Sequence, residues 1–397
     1  MIYLKRLEEI AEIIMGTSPA GATYNYDCIG LPLLNGPTEF GNVYPESTLY
    51  TIDSKKECRT GDLIFCVRGN TTGRMNWANK EYSLGRGVCA IRGENIIDTK
   101  YIRYCLELYL PELLQLASGA TMPNLTQSSI KQFSIPYSKY RDKVTSILSA
   151  YDNLIENNLR RIKILEEMAQ NLYREWFVNF RFPGHENTRF VDSPLGKIPE
   201  GWRVENLFSI ADVTYGYAFK SSLFNTDGLG KPVVRIRDVL SGVSKTFSTE
   251  EPNKKYLVEN GDILIGMDGD FHMGFWVGGQ AYLVQRVARF RAKKDIGTYL
   301  LFLSLIDPIK DFNSTITGTT VAHLGDKHLK TINFLLPDKE FLSYCNSILG
   351  SYLRLIISLK LKNQVLQKTR DLLLPKLISG EVDVSELDIK VPEEVAI

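Results

Sequence analysis

Residues 141–177 read RDKVTSILSAYDNLIENNLRRIKILEEMAQNLYREWF, with neither proline nor glycine. Val144, Tyr151, Asn158, Leu165 and Leu172 recur every seven residues. A second line, Ile147/Leu148, Leu154/Ile155, Ile162, Met168/Ala169 and Trp176, follows the same stripe. So narrow an apolar seam predicts one long helix built to pair with another. At about 1.5 Å per residue it would reach roughly 55 Å, the length of a spacer rather than of a core helix.

Residues 341–374 supply the partner: FLSYCNSILGSYLRLIISLKLKNQVLQKTRDLLL. Shifted by about 200 positions, Ile147 falls on Ile348, Leu148 on Leu349, Tyr151 on Tyr352, Leu165 on Leu366 and Leu172 on Leu373. Asn158 falls on Leu359, so one seam is expected to carry a polar residue that the other lacks. A single Asn in such a seam fixes register at some cost in stability.

The duplication extends along the chain. Leu7-x-x-Ile10-Ala11 recurs as Leu207-x-x-Ile210-Ala211, Gly16 as Gly216, and Gly61-Asp62-Leu63-Ile64 as Gly261-Asp262-Ile263-Leu264. Trp77 recurs as Trp276, one position off that register. Ser118-Gly119-Ala120-Thr121 recurs as Thr317-Gly318-Thr319-Thr320, and Pro136 as Pro337. The chain is a globular module followed by a long helix, written twice. Residues 1–140 and 202–338 are the modules. Residues 141–182 and 339–382 are the helices, 183–201 the proline- and glycine-containing join, and 383–397 a tail. Within each module, 63–67 and 263–267 read as buried strands entered through a Gly-Asp turn, and 88–92 and 287–291 as further strands. Residues 98–116 and 296–306 read as helices. The fold class is therefore mixed α/β: two pseudo-repeated α/β modules joined by two long helices whose seams bury each other. Ser138 and Asp338 are N-cap candidates, and Pro375 is expected to end or kink the second helix.

Bulk numbers exclude more than they assign. With 44% hydrophobic residues the chain can fill real cores, and 47 basic against 46 acidic residues give a net charge of +1. Any nucleic-acid surface must therefore be local. Six cysteines form no CxxC pair and four histidines no cluster at zinc spacing, so no metal site is expected. Cys66 and Cys89 read as small core residues. The N-terminal MIYLKRLEEIAEII is acidic and amphipathic, unlike a secretory signal, and no apolar run approaches a membrane span. A soluble, cytoplasmic protein with no membrane partner is expected. There is no phosphate-binding G-x-x-x-x-G-K-[ST] loop, no dinucleotide G-x-G-x-x-G and no nucleophile elbow. No catalytic residue is assigned.

The two copies agree in framework and differ in polar loops. After the first Gly-Asp strand come Arg68, Asn70, Thr71, Thr72, Arg74 and Asn76, with Arg86 in the next segment. Arg and Asn suit guanine and adenine edges. After the second come Asp268 and His272, with Gln285 and Arg286 next, while Lys220, Ser221, Arg235 and Arg237 add a basic and hydroxyl surface. Arg235 and Arg237 are expected to share one strand face, and Arg289 and Arg291 to point outward without partners. Trp77 and Trp276 read as packing residues. Asp62 and Asp262 read as turn residues; a rival reading makes them paired carboxylates of a metal-dependent nuclease. A second rival is a duplicated scaffold that binds protein rather than DNA.

Four stretches carry a family resemblance. They are Trp176-Phe177 with Phe180-Arg181-Phe182-Pro183-Gly184, then Leu195-Gly196-Lys197-Ile198-Pro199-Glu200-Gly201-Trp202, then Gly216-Tyr217-Ala218-Phe219-Lys220-Ser221-Ser222, and finally Leu373-Leu374-Pro375-Lys376-Leu377 with Ser379-Gly380-Glu381. Together with the module–helix–module–helix plan, the chain resembles the specificity subunit of type I restriction–modification enzymes. The resemblance implies two target recognition domains, each reading half of a bipartite, asymmetric site in double-stranded DNA. It implies that the two long helices pack antiparallel as a coiled coil that sets the unread spacer, along the seam residues Tyr151, Asn158, Leu165, Leu172, Tyr352, Leu359, Leu366 and Leu373. Two modification subunits that methylate adenine, and restriction/translocase subunits, are the implied partners. S-adenosylmethionine, ATP and Mg would belong to those partners, with no cofactor in this chain. Only Met1–Arg6 precede the first module, so any packing of the N-terminus on the C-terminal tail is expected to be brief.

Overall fold

The structure is a computed structural model that describes residues 2–41, 43–119, 123–293, 295–316 and 322–391. The chain divides into two compact units: Met1–Ile155 with Val365–Ile397, and Glu156–Gln364. Each unit holds one module and a part of both long helices.

The first unit is built on two sheets. A four-stranded antiparallel sheet has the order Ala11–Met15, Val88–Gly93, Leu63–Cys66, Met75–Trp77. A five-stranded sheet has the order Tyr24–Asn25, Tyr50–Thr51, Leu31–Leu34, Tyr82–Leu84, Glu57–Cys58, its one parallel pair being Leu31–Leu34 with Tyr82–Leu84. The strand 63–66 is buried on both faces, which is why it reads as an unbroken apolar run. The expected helix over 98–116 is two helices, Ile96–Leu108 and Leu110–Gln115, divided at Tyr109 ahead of Pro111. Strand Ile2–Arg6 pairs with Ser134–Ser138 just before the central helix.

The second unit repeats this plan. Its sheets run Ala211–Tyr215, Val287–Ala292, Ile263–Gly266, Met273–Phe275, and Phe224–Asn225, Phe247–Ser248, Lys231–Val234, Ala281–Leu283, Leu257–Val258. Thr298–Thr315 extends well past the expected 306 and passes through Pro308. The join holds a hairpin, Phe190–Ser193 with Gly196–Pro199, turned at Gly196, whose φ is +93°. Register corrects one sequence pairing. Trp77 stands opposite Leu63, whereas Phe275, not Trp276, stands opposite Ile263. The intervening loop is shorter in the second copy, so Trp276 takes the place of Ala78: the N–H of each donates to the carbonyl of its module's Gly-Asp aspartate, Asp262 and Asp62. The repeated stretch at 118–125 and 317–324 lies partly outside the described residues, at 120–122 and 317–321.

Both long helices form. The central one is Arg141–Tyr173, continued by a π turn, Arg174–Val178. The C-terminal one is Lys339–Ile378, capped by Asp338, whose Oδ1 accepts the N–H groups of Glu340 and Phe341 at 3.0 Å. Ser138 does not cap the central helix; it closes a strand, and its Oγ accepts the N–H of Tyr140. Pro375 does not end the second helix. It sits one turn from the end, where a lost N–H costs a single bond, and its carbonyl still accepts from Ser379. The end is set by Gly380, at φ +74°, whose Cβ would lie 2.6 Å from Ile2 Cδ1.

Within each unit the helices pair antiparallel. In the first, Val144 and Leu148 share a core with Leu374 and Leu377, and Arg370 meets Asp152 at 2.6 Å. In the second, Lys360 meets Glu166, and Trp176 packs on Phe341 and Tyr344. The buried line is Val144, Leu148, Ile155, Asn158, Ile162, Ala169 and Trp176. Tyr151, Leu165, Leu172, Tyr352, Leu366 and Leu373 are half-buried, and Leu359 is buried. Leu154 and Met168, alternatives for the second line, point to solvent.

One seam expectation is overturned. The second helix does carry a polar seam residue: Asn158 Nδ2 donates to Asn363 Oδ1 at 2.8 Å, and both residues are buried. Aligning the two copies head to head places Asn158 on Leu359, but antiparallel helices bring 158 to 363. Replacing Asn158 alone with Leu leaves Asn363 short of a buried partner, at a cost of about 1–3 kcal/mol. Asn158→Leu combined with Asn363→Leu is expected to recover most of that loss. Denaturant unfolding of the single and double variants checks this.

Candidate nucleic-acid interface

In each module three loops meet at the end of the Gly-Asp strand, joined by the same backbone bonds. In the first unit Val67 N–H donates to Gly87, Gly69 N–H to Pro123 and Leu125 N–H to Val67, at 2.9–3.0 Å. In the second, Met267 N–H donates to Arg286, Gly269 N–H to Ala322 and Leu324 N–H to Met267, at 2.8–2.9 Å. Thr72 locks the first junction, its Oγ1 donating to Gly69 and Pro123.

The side chains on the two junctions differ. Arg68 is exposed and its Nε donates to Asn124 Oδ1 at 3.1 Å. Asn70 and Thr71 are exposed beside it. In the second junction Asp268 occupies the position of Arg68. Its Oδ2 lies 3.1 Å from Arg286 Nε, and its Oδ1 is 2.5 Å from His323 Nδ1. Gln285 is exposed next to Arg286, and His272 is half-buried on the same loop as Asp268. Asn124 and His323 were not among the expected contact residues. They lie 56 and 55 residues from their partners, too far for any local pattern to signal.

Other candidates lie elsewhere. Asn76 is buried within a strand and its amide donates to Gly41, so it cannot read a base. Arg74 is exposed, near the Phe40 ring and the Pro37 carbonyl, and Arg86 is exposed on the turn beside Ser18. Lys220 and Ser221 are exposed on the turn Ser221–Leu223, with Glu250 holding the backbone of Lys220. Arg235 and Arg237 do not share a strand face. Asp238 accepts the N–H of Arg235 and folds the chain into the 3-10 turn Ile236–Asp238. That turn places Arg235 over Phe224 and Arg237 against Thr246.

The repeated aspartates are structural. Asp62 accepts two hydrogen bonds from Arg92, both at 2.7 Å, and Asp262 accepts two from Arg291, at 2.6 and 2.7 Å. The hydrogen bonds to the carboxylate raise the pKa of each arginine. Arg291 thus has a partner, against expectation. So does Arg289, which is buried, hydrogen-bonded to Leu257 and Thr214, and lowered in pKa by its burial. His323, Asp326 and His328 do not converge: Asp326 binds Tyr215 and Lys330, and His328 accepts the N–H of Gly325. Among the described residues no cluster of His, Cys, Asp or Glu could hold a metal, and no helix is long and apolar enough to cross a membrane. Cys66 and Cys89 are core residues, with burial pushing the Cys89 thiol up.

Comparison with known proteins bears on this twofold arrangement. The chain matches the family described as the type I restriction modification DNA specificity domain twice, over residues 3–167 and 199–367. It belongs to the type I restriction–modification DNA specificity family. Within that family it is 25% identical over 415 residues to the type I restriction enzyme MjaIX specificity subunit of Methanocaldococcus jannaschii, covering 97% of this chain and 94% of the relative. It is 30% identical over 199 residues to the EcoBI specificity subunit of Escherichia coli, covering 49% of this chain and 42% of the relative. A crystal structure of a type I restriction–modification S subunit from M. genitalium shares the fold, at 17% identity and a TM-score of 0.60, covering 95% and 96% of the two chains.

The two framework ion pairs of this specificity-family chain differ in exposure. Arg92 is 22% exposed and Arg291 41%, so the second pair is the more screened. Asp62→Ala is expected to cost about 3 kcal/mol and Asp262→Ala about 1–2 kcal/mol, read from urea midpoints.

Proposed function

We propose that this chain is the DNA-recognition subunit of a type I restriction–modification complex and is itself non-catalytic. Each module reads one half of a bipartite, asymmetric site in the major groove. The observation that carries this reading is the repeated three-loop junction: the backbone scaffold is the same twice, and the side chains it presents differ. Two half-sites of different sequence require that combination. Membership of the family supports it, and the bidentate Asp62–Arg92 and Asp262–Arg291 pairs leave the nuclease reading no favoured place.

The helix pair sets the distance between half-sites and docks two modification subunits, which methylate adenine using S-adenosylmethionine. With ATP-dependent restriction/translocase subunits the same recognition directs cleavage. The net charge of +1 fits a subunit that binds DNA firmly only once its partners close around the duplex.

Two experiments on the assembled complex test this. Replacing residues 200–340 with those of a relative should change one half-site of the methylated motif and leave the other intact; a change in both or in neither counts against the reading. Removing one heptad from each helix shortens the pair by about 10 Å, roughly three base-pair steps. Methylation of the original site should then be lost, and any site selected from a library of randomised gaps should carry a different gap.

A further inference from the structure

Each junction holds an exposed arginine by its Nε, through a hydrogen bond in the first and an ion pair in the second. Arg68 donates its Nε to Asn124 Oδ1 at 3.1 Å, and Arg286 sets its Nε 3.1 Å from Asp268 Oδ2. In both, the terminal Nη1 and Nη2 have no hydrogen-bond partner among the described residues. An oxygen on Nε fixes the plane of the guanidinium and reduces the side-chain entropy lost on contact.

The two arginines come from different positions in the repeat. Gly87 and Arg286 are equivalent, since each carbonyl accepts the N–H that follows its Gly-Asp strand. A Cβ at Gly87 would lie 2.0 Å from the Asn35 carbonyl oxygen, so the first module cannot carry a side chain there. It carries its arginine on the neighbouring loop, at 68, where the second module has Asp268. Arg286 itself adopts φ +73°, a left-handed conformation that residues with a Cβ rarely take. Both oxygens of Asp268 are engaged, by His323 and by Arg286, so this carboxylate supports the arginine instead of accepting from a base.

We propose that Arg68 and Arg286 are the specificity-determining residues of the two modules, each reading a guanine. Asn124, and Asp268 with His323, are their positioning residues. The base follows from the chemistry. A pinned fork offers two donors side by side, and in the major groove only guanine presents two adjacent acceptors, O6 and N7. Adenine places a donor beside its N7 and thymine offers one acceptor. The inference rests on the DNA-recognition reading above.

The test is selection from a randomised duplex pool by the complete complex with its modification subunits. The wild type should select a guanine in each half-site. Arg68→Lys keeps the charge and loses the fork. It should reduce guanine preference about 10- to 100-fold at one position of one half-site and leave the other half unchanged. Arg286→Lys should do the same in the other half. Asn124→Leu and Asp268→Leu keep the arginines and remove their anchors, and each should relax the same position as its arginine, by less. Retention of guanine in both half-sites by the lysine variants overturns the assignment. So does a loss of affinity that is uniform across sequences, the mark of a phosphate contact. A wild-type complex that selects no sequence defeats the DNA-recognition reading itself.

Discussion

The buried amide pair Asn158–Asn363 is the constraint on which the alignment of the two long helices depends. Apolar heptads pair almost as well when slipped by seven residues, because each leucine meets another apolar residue. An amide in the seam removes that tolerance. Slipped by seven residues either way, at least one amide would face an apolar side chain, Ile356 or Leu165, in place of its amide partner, at about 1–3 kcal/mol. One amide on each helix therefore selects one alignment from several. The pair adds little net stability and a good deal of definition to how the two helices align.

The same division between framework and function runs through the modules. What repeats most faithfully is the Gly-Asp strand entrance with its arginine on the neighbouring strand of the sheet. That motif is a bidentate ion pair tying a turn to the sheet. A duplicated carboxylate invites a catalytic reading, but its second appearance is better explained by a fold needing the same clamp twice. The copies diverge in side chains carried on an unchanged backbone. The three backbone bonds of the junction are common to both modules, while Arg68 with Asn124 in one gives way to Asp268, His323 and Arg286 in the other.

The architecture was legible because its signals are periodic or repeated. The seam shows in heptads, the modules in the internal offset, and the buried strands in unbroken apolar runs. Asn363 escaped because comparing a sequence with itself aligns copies head to head, whereas the helices meet head to tail. The candidate site was legible only as a region. Asn76 sits in a polar loop by sequence, yet the pleat turns it inward to Gly41. Arg235 and Arg237 alternate like strand residues until Asp238 captures a backbone N–H and folds them into a turn. Asn124 and His323 gain meaning only from partners that folding brings across more than fifty residues.

The modules are also held to the helices by different chemistry. In the first unit Arg103, Tyr104 and Glu107 of helix Ile96–Leu108 face Asp152 and Arg370, one from each long helix. Burial works against the charge of Arg370, but hydrogen bonds to Asp152 and Asp371 and the nearby charges of Asp152 and Glu107 together outweigh it, and the pKa rises. In the second unit the corresponding positions are mainly apolar, with Tyr299 and Leu303 packing in the core that Tyr173 and Leu353 flank. Leu353 stands in the repeat where the first copy has Asp152. A first module placed on the second seat would set Arg103 and Glu107 against hydrocarbon, and a second module on the first seat would leave Asp152 and Arg370 without their neighbours on helix Ile96–Leu108. Each seat therefore favours its own module, and a chain built by duplication keeps a fixed order of its two halves.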